Sequence, residues 1–180
     1  LSPAELRTKF RTGELVLPTA GLCPGYIQGN LVILHRRYGE DFLQFMKQNP
    51  KPCPILEVFD QGSPISHKMA EGADITTDIP LYRIYRNGVF EEEVKDVSGY
   101  WNEDMVGFLI GCSLTFESRL VEAGIPLKHY EENKRVPMFD TNIACKPSKL
   151  FHGNYVVSMR PVKKELVDLA VKITEPMDYA

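Results

Sequence analysis

No two cysteines in this sequence stand close enough for a metal knuckle or a redox pair. Cys23, Cys53, Cys112 and Cys145 are separated by 30, 59 and 33 residues, with no CxxC among them, which argues against zinc-knuckle and thioredoxin-type chemistry. The plain reading is four free thiols in a reducing compartment. Nor do the four histidines show metal-ligand spacing; His35, His67 and His129 stand alone and read as surface or structural residues. No metal and no other cofactor is expected. There is no GxSxG elbow, no HExxH and no GK[ST] phosphate loop, so serine-hydrolase, zinc-hydrolase and P-loop chemistry lack their starting motifs. Long apolar runs are missing too. The longest, such as Leu31–Leu34 and Phe108–Ile110, fall far short of the roughly 18–20 residues of a membrane span. Neither sign of charge dominates, with 21 Lys and Arg against 24 Asp and Glu, so no basic field invites nucleic acid.

What is present is the composition of an ordinary globular chain: 180 residues, 43% hydrophobic and 25% charged. Such a chain buries a sizeable core without disulfides. It predicts one domain, or one domain with a smaller appendage. Leu1 opens the sequence and no basic-then-apolar leader precedes the first element, so no secretory leader is expected, the protein is expected in the cytoplasm, and the sequence reads as a fragment.

Local signals predict the elements. Ser2-Pro3-Ala4-Glu5 is a capping box with proline at the first helical position, and the helix should run to about Thr12 before Gly13. Pro18 to Gly25 reads as a loop. Leu31–Leu34 suits a buried strand, with a buried helical turn as the alternative. Tyr38, Phe42, Phe45 and Met46 share one helical face, ended by Asn49-Pro50. Ile55–Val58 reads as a strand and Gln61–Pro80 as a long loop. Asn87-Gly88 between two short apolar-rich runs predicts a hairpin over 81–94. Asn102–Ile110 predicts a helix, Thr115–Ala123 a second one with Gly124 after it. Val136–Phe151 reads as irregular, Tyr155–Met159 as a strand, and Pro161 as the opening of a last helix with Leu166, Leu169, Ala170 and Ile173 on its apolar face.

Four constellations could carry chemistry. In Gly111-Cys112-Ser113-Leu114-Thr115-Phe116-Glu117, Ser113 could cap the following helix, whose free amides would make an anion site beside Cys112, with Glu117 as acid or base. Thr141-Asn142-Ile143-Ala144-Cys145-Lys146 through His152-Gly153 gathers polar groups before a strand, and His152 is the natural proton shuttle. Arg160, at a strand end, could clamp a carboxylate through two nitrogens. Pro18-Thr19-Ala20-Gly21 through Gln28-Gly29-Asn30 could form a backbone nest. Each also has a structural reading: a capped corner, a self-satisfied loop, a surface ion pair, a connecting loop.

Taken in chain order, these segments resemble the D-glutamate cyclase family, whose bacterial members carry the name hydro-lyase. The resemblance rests on Pro18-Thr19-Ala20-Gly21 with Pro24 through Leu34, on Asn49 through Pro54, and on Phe108 through Glu117. It continues in Val136-Pro137-Met138, Thr141 through Cys145, and Val156 through Pro161, and so spans nearly the whole chain. It implies a mixed α/β fold, with a three-layer α/β part and a smaller intertwined α+β part, one family region over 1–180 with subdomains of about 1–125 and 126–180. It implies a lyase that removes water; the vertebrate relative is mitochondrial, which would be the compartment here if the source were an animal, and converts D-glutamate to 5-oxo-D-proline. Family members continue with a His-x-Gly-Asp-Pro block and later Phe-Trp and Pro-Gly-His blocks, none of which occurs before Ala180, so truncation at the C-terminus is expected.

The expected reaction closes an amino dicarboxylate on itself. It requires a base, an acid, donors for an oxyanion and a clamp for the α-carboxylate. The expected assignments are Arg160 as clamp, Ser113 and the neighbouring amides as oxyanion donors, and His152 or Glu117 for proton transfer. Thr19, Gln28, Asn30 and Asn142 would orient substrate, and Cys112 as nucleophile is a variant. The expected partner is a small carboxylate, with a homodimer as the default assembly and neither nucleic acid nor membrane. The competing reading is a non-catalytic domain for small-anion binding or assembly.

Overall fold

The structure is a computed structural model, and it describes residues 1–60 and 62–180. Helix α1, Pro3–Arg11, starts where its capping box places it: Ser2 accepts from the Glu5 amide and Glu5 reaches back to the Ser2 amide. Its buried face carries Leu6 and Phe10. Strand β1, Gly29–His35, leads directly into α2, Arg36–Gln48, which ends at Asn49. Strand β2 is Ile55–Phe59. The predicted long loop follows; Gln61 lies outside the described residues, and from Gly62 to Pro80 the segment holds only an isolated bridge between Ile65 and Asp74. Strands β3, Tyr82–Arg86, and β4, Val89–Val94, form the expected hairpin. Its turn needs two residues at positive φ, and Asn87 at 51° with Gly88 at 78° supply them.

Strand β5, Met105–Gly111, occupies most of the segment predicted as a helix over Asn102–Ile110. It is the centre of an antiparallel sheet of order β1-β5-β2, with Val32 and Val58 on either side of Phe108. A central strand is covered on both faces, so its run of apolar residues shows no alternation, and short runs of that kind do not distinguish strand from helix. One face joins Val106, Phe108 and Ile110 to Met46, Phe42 and Leu43 of α2. On the other, Gly107 lies against Ile75 and Phe59.

After β5 the chain makes a 3₁₀ turn, Ser113–Phe116, and enters α3, Glu117–Glu122, which closes at Gly124 with φ 79°. Helix α4, Lys128–Glu131, is a single turn. Val136–Phe151 is not wholly irregular: β6, Met138–Ala144, pairs with β7, Asn154–Ser158, through a register shift after Asp140. Both strands of this ribbon are largely exposed, so β6 carries no half-buried pattern to read. The last helix starts later than Pro161, with a 3₁₀ turn over Lys164–Leu166 before α5, Val167–Thr174. Leu166, Ala170 and Ile173 pack against Leu120, Ile125 and Leu127, while Leu169, expected on the same face, is exposed. The fold is mixed α/β.

Candidate functional site

The turn between β5 and α3 places Ser113 and Glu117 on one side of the chain, four residues apart. The strand β7 ends at Ser158 and carries Arg160 across to them, while α4 supplies His129 and Tyr130. At the centre is Glu117, whose side chain is only 1% exposed. Arg160 donates to Glu117 Oε1 through Nε at 2.7 Å, with Nη2 at 2.6 Å from the same oxygen. Its Nη1 donates to Ser158 Oγ at 2.8 Å and Nη2 to Ser113 Oγ at 3.3 Å. The two serine hydroxyls are 2.9 Å apart. The guanidinium also lies over the Phe116 ring, 4.8 Å from its centroid, a cation–π contact that helps hold a desolvated cation.

His129 Nε2 comes within 3.1 Å of Glu117 Oε1 but without hydrogen-bond alignment. Glu117 Oε2 and both ring nitrogens of His129 are buried and have no hydrogen-bond partner. Next to them, the phenol of Tyr130 is pushed up to about 12, first by burial and then by the facing Glu117 carboxylate, so it stays protonated at neutral pH.

Other shielded carboxylates are fully used, and that contrast singles out Glu117. Glu57 accepts from Ser66 Oγ at 2.7 Å and from the amides of His67, Lys68 and Met69 at 2.8, 3.1 and 3.0 Å. Asp41 accepts from Ser148 Oγ and the amides of Lys149 and Leu150 at 2.9, 3.0 and 2.8 Å. Asp78 takes a two-pronged contact from Arg11, 2.7 Å at each prong. In all three, desolvation pushes the carboxyl up, but the donors outweigh it and hold the group below the usual carboxylate range. These carboxylates fasten loops. Glu117 leaves one oxygen unspent, which an otherwise paid-up structure rarely tolerates without a use.

Of the residues singled out in the sequence, Ser113, Glu117 and Arg160 converge. Ser113 does not cap a helix: Cys112 occupies that position without a side-chain bond, and the Ser113 hydroxyl is turned to Ser158 instead. Arg160 is not a free clamp, because all three guanidinium nitrogens are engaged within the protein. Cys112 is half-buried on the adjoining residue. Thr19 accepts from Gln28 Nε2, and Gln28 is bonded through its backbone to Thr115 Oγ1 at 2.9 and 3.3 Å. Together with the Gly25 amide on Ser118 Oγ at 3.1 Å, these bonds strap the loop onto α3. The strap encloses a cleft of about 200 Å³ lined by Gly21, Cys23, Gln28, Thr115, Ser118 and Tyr130. Asn30 lies in β1 and, with Thr19 and Gln28, lines an adjoining broad groove of about 1200 Å³ between β1 and the β3–β4 hairpin; Gln28 lines both. Asn142 and His152 are exposed, and among the described residues neither contacts Glu117, Arg160 or Ser113 through a hydrogen bond or ion pair. Among the described residues no group of three His, Cys, Asp or Glu side chains could hold a metal ion, and no helix is long and apolar enough to cross a membrane.

The residues around this cluster fall within a recognised family. The family model for D-glutamate cyclase matches residues 106–180, which covers β5, the turn, α3, α4 and Arg160. A "Putative hydro-lyase" of Clostridium beijerinckii is 50% identical over 177 residues, 98% of this chain and 68% of the relative. One from Bacillus subtilis strain 168 is 48% identical over 174 residues, 97% of this chain and 68% of the relative. The chain belongs to the D-glutamate cyclase family. Another relative, from Thermoanaerobacter sp. strain X514, is 54% identical over 174 residues, 97% of this chain and 66% of its own; the chain thus spans about two thirds of the length of the curated relatives it matches. In this D-glutamate cyclase family member, sequence reasoning gives no role to Ser158 or Tyr130 and reads His129 as a surface or structural residue. Ser158 stood beside Arg160 without a role, and nothing in their spacing distinguishes His129 or Tyr130. Only their placement beside Glu117 does.

Proposed function

We propose that this chain carries the catalytic corner of a hydro-lyase that cyclises a small amino dicarboxylate, D-glutamate to 5-oxo-D-proline, with loss of water. The observation that carries this reading is the buried Glu117, with one carboxylate oxygen unpartnered and His129 beside it, joined through Arg160 to a pair of serine hydroxyls. The reaction moves two protons from the substrate ammonium to the departing carboxyl oxygen while a C–N bond forms and a C–O bond breaks. It therefore needs groups that accept and return protons next to donors for the tetrahedral oxyanion.

The cluster supplies both. Arg160 donates into Ser113 Oγ and Ser158 Oγ, and one hydroxyl donates to the other, so one O–H is left free to point outward. That O–H is a pre-aimed donor for an oxyanion, and Arg160 acts by fixing it rather than by touching substrate. Glu117, paired with His129, is the proton-exchanging group. The family and the names of the relatives support the hydro-lyase class, and the substrate is this reading's own step.

The test is an NMR assay of the purified chain with D- and L-glutamate. Formation of 5-oxo-D-proline from the D-isomer is expected, with turnover reduced about 10²–10³-fold in Ser113→Ala while the fold is kept. Unchanged turnover in that variant would remove Ser113 from the mechanism. Binding of D-glutamate without conversion would favour the small-anion binding domain.

A further inference from the structure

The cleft under the 19–28 loop and the buried Glu117–His129 pair are separated by one side chain, Tyr130. Its ring stacks edge-on against His129, with centroids 4.8 Å apart. Its hydroxyl lies on the cleft side, 3.8 Å from the point where a side chain on Gly21 would begin. Gly21 has φ 74°, so a larger residue there would both strain the backbone and narrow the approach to the phenol. Tyr130 is 46% exposed, whereas His129 and Glu117 are 5% and 1% exposed at their side chains. Three buried polar atoms behind it, Glu117 Oε2 and both His129 ring nitrogens, have no partner. A cleft, a half-exposed tyrosine and an unspent buried acid–base pair are thus arranged in sequence.

We infer that Tyr130 is a catalytic residue of this cleft, passing a proton between a bound amino dicarboxylate and the Glu117–His129 pair; the inference rests on the cyclase reading. The proton balance is complete. Before attack, Tyr130 gives its proton to the pair and takes one ammonium proton in its place, so the pair is loaded and the phenol is again protonated. The amine nitrogen then bonds to the γ-carboxyl carbon. As the C–O bond breaks and its electrons go to oxygen, that oxygen receives one proton from Tyr130 and the second from the new C–N nitrogen, and departs as water. The pair returns its proton to the phenolate. The raised affinity of the phenol for its proton keeps Tyr130 in the donor form at the start of this cycle. His129, one layer further in, is a positioning residue.

The experiment uses the chain labelled at the tyrosine ring carbon that bears the hydroxyl, with Tyr130→Phe identifying the Tyr130 signal. D-Glutamate is the probe, and binding and turnover are measured on the same samples. The expected result is a D-glutamate-dependent shift of the Tyr130 signal, binding by Tyr130→Phe within about threefold of the parent, and kcat lower by about 10²-fold or more. Turnover by the parent with no shift at Tyr130, or with Tyr130→Phe equally fast, would overturn the role of Tyr130 and leave the cyclase reading standing. A shift at Tyr130 with no product from the parent would overturn both, and so would neither shift nor product.

Discussion

Glu117 and Arg160 hold a buried charge pair in which one member compensates the other. Removing the cation alone leaves a desolvated carboxylate, so Arg160→Ala should cost about 3–5 kcal/mol. Replacing both, as in Glu117→Leu with Arg160→Met, should cost less than Arg160→Ala by itself, and urea unfolding of the three proteins checks the order. Glu57 makes a different prediction. Its folded carboxyl lies below its unfolded value, despite burial, because Ser66 and three amides donate to it. The stability it contributes is therefore present above the unfolded carboxylate pKa of about 4.3 and is lost as pH falls through the folded value. Glu57→Gln should lower stability by about 1–3 kcal/mol at neutral pH, and the gap between variant and parent in urea midpoint should close below about pH 4. A gap independent of pH would show that the carboxylate charge is not what the loop uses. At this scale the sequence already pointed to Ser113, Glu117 and Arg160, because a thiol, a hydroxyl and a carboxylate cluster at one turn and an arginine ends a strand. It carried no sign that Arg160 would turn inward, since the side chain that captures it stands 43 residues earlier in the chain.

The elements were legible where the signal is local. The Ser2–Glu5 box, the Asn87-Gly88 turn and Gly124 after α3 each act through bonds and dihedral angles a few residues apart. Strand β5 was not legible, because its state depends on β1 and β2 lying on either side of it. Gly111, at its end, is a place where no side chain fits: a Cβ would fall 1.9 Å from the Tyr179 carbonyl oxygen and 2.9 Å from Pro54 Cγ. Gly111→Ala should therefore displace the segment around Tyr179 and cost about 1–3 kcal/mol. Thermal melts, with carboxypeptidase trimming as the second readout, test this. An unchanged melting temperature and unchanged trimming would show that the contact is not maintained in solution.

Across the whole molecule, burial is uneven. The three-stranded sheet and α2 share one core, and α3 shares another with α5. The β6–β7 ribbon is different: Met138, Ile143 and Val156 are 70%, 56% and 58% exposed. A two-stranded ribbon without a covered face is marginal by itself. Amide exchange in β6 and β7 should accordingly be faster than in β5 by on the order of 100-fold or more, read by hydrogen–deuterium exchange mass spectrometry. Equal protection would mean that the ribbon is covered in solution. The family, the capped first helix, the hairpin turn and the residue types of the β5–α3 corner were all present in the order of the amino acids, because each depends on neighbours in the chain. The tertiary structure alone decided that β5 is a strand and that His129 and Tyr130 belong with Glu117. It also decided that Glu117 keeps an unpartnered oxygen where Glu57 and Asp41 do not. Desolvation and pairing are set by whatever segments meet in space, and that is fixed only when the whole chain has packed.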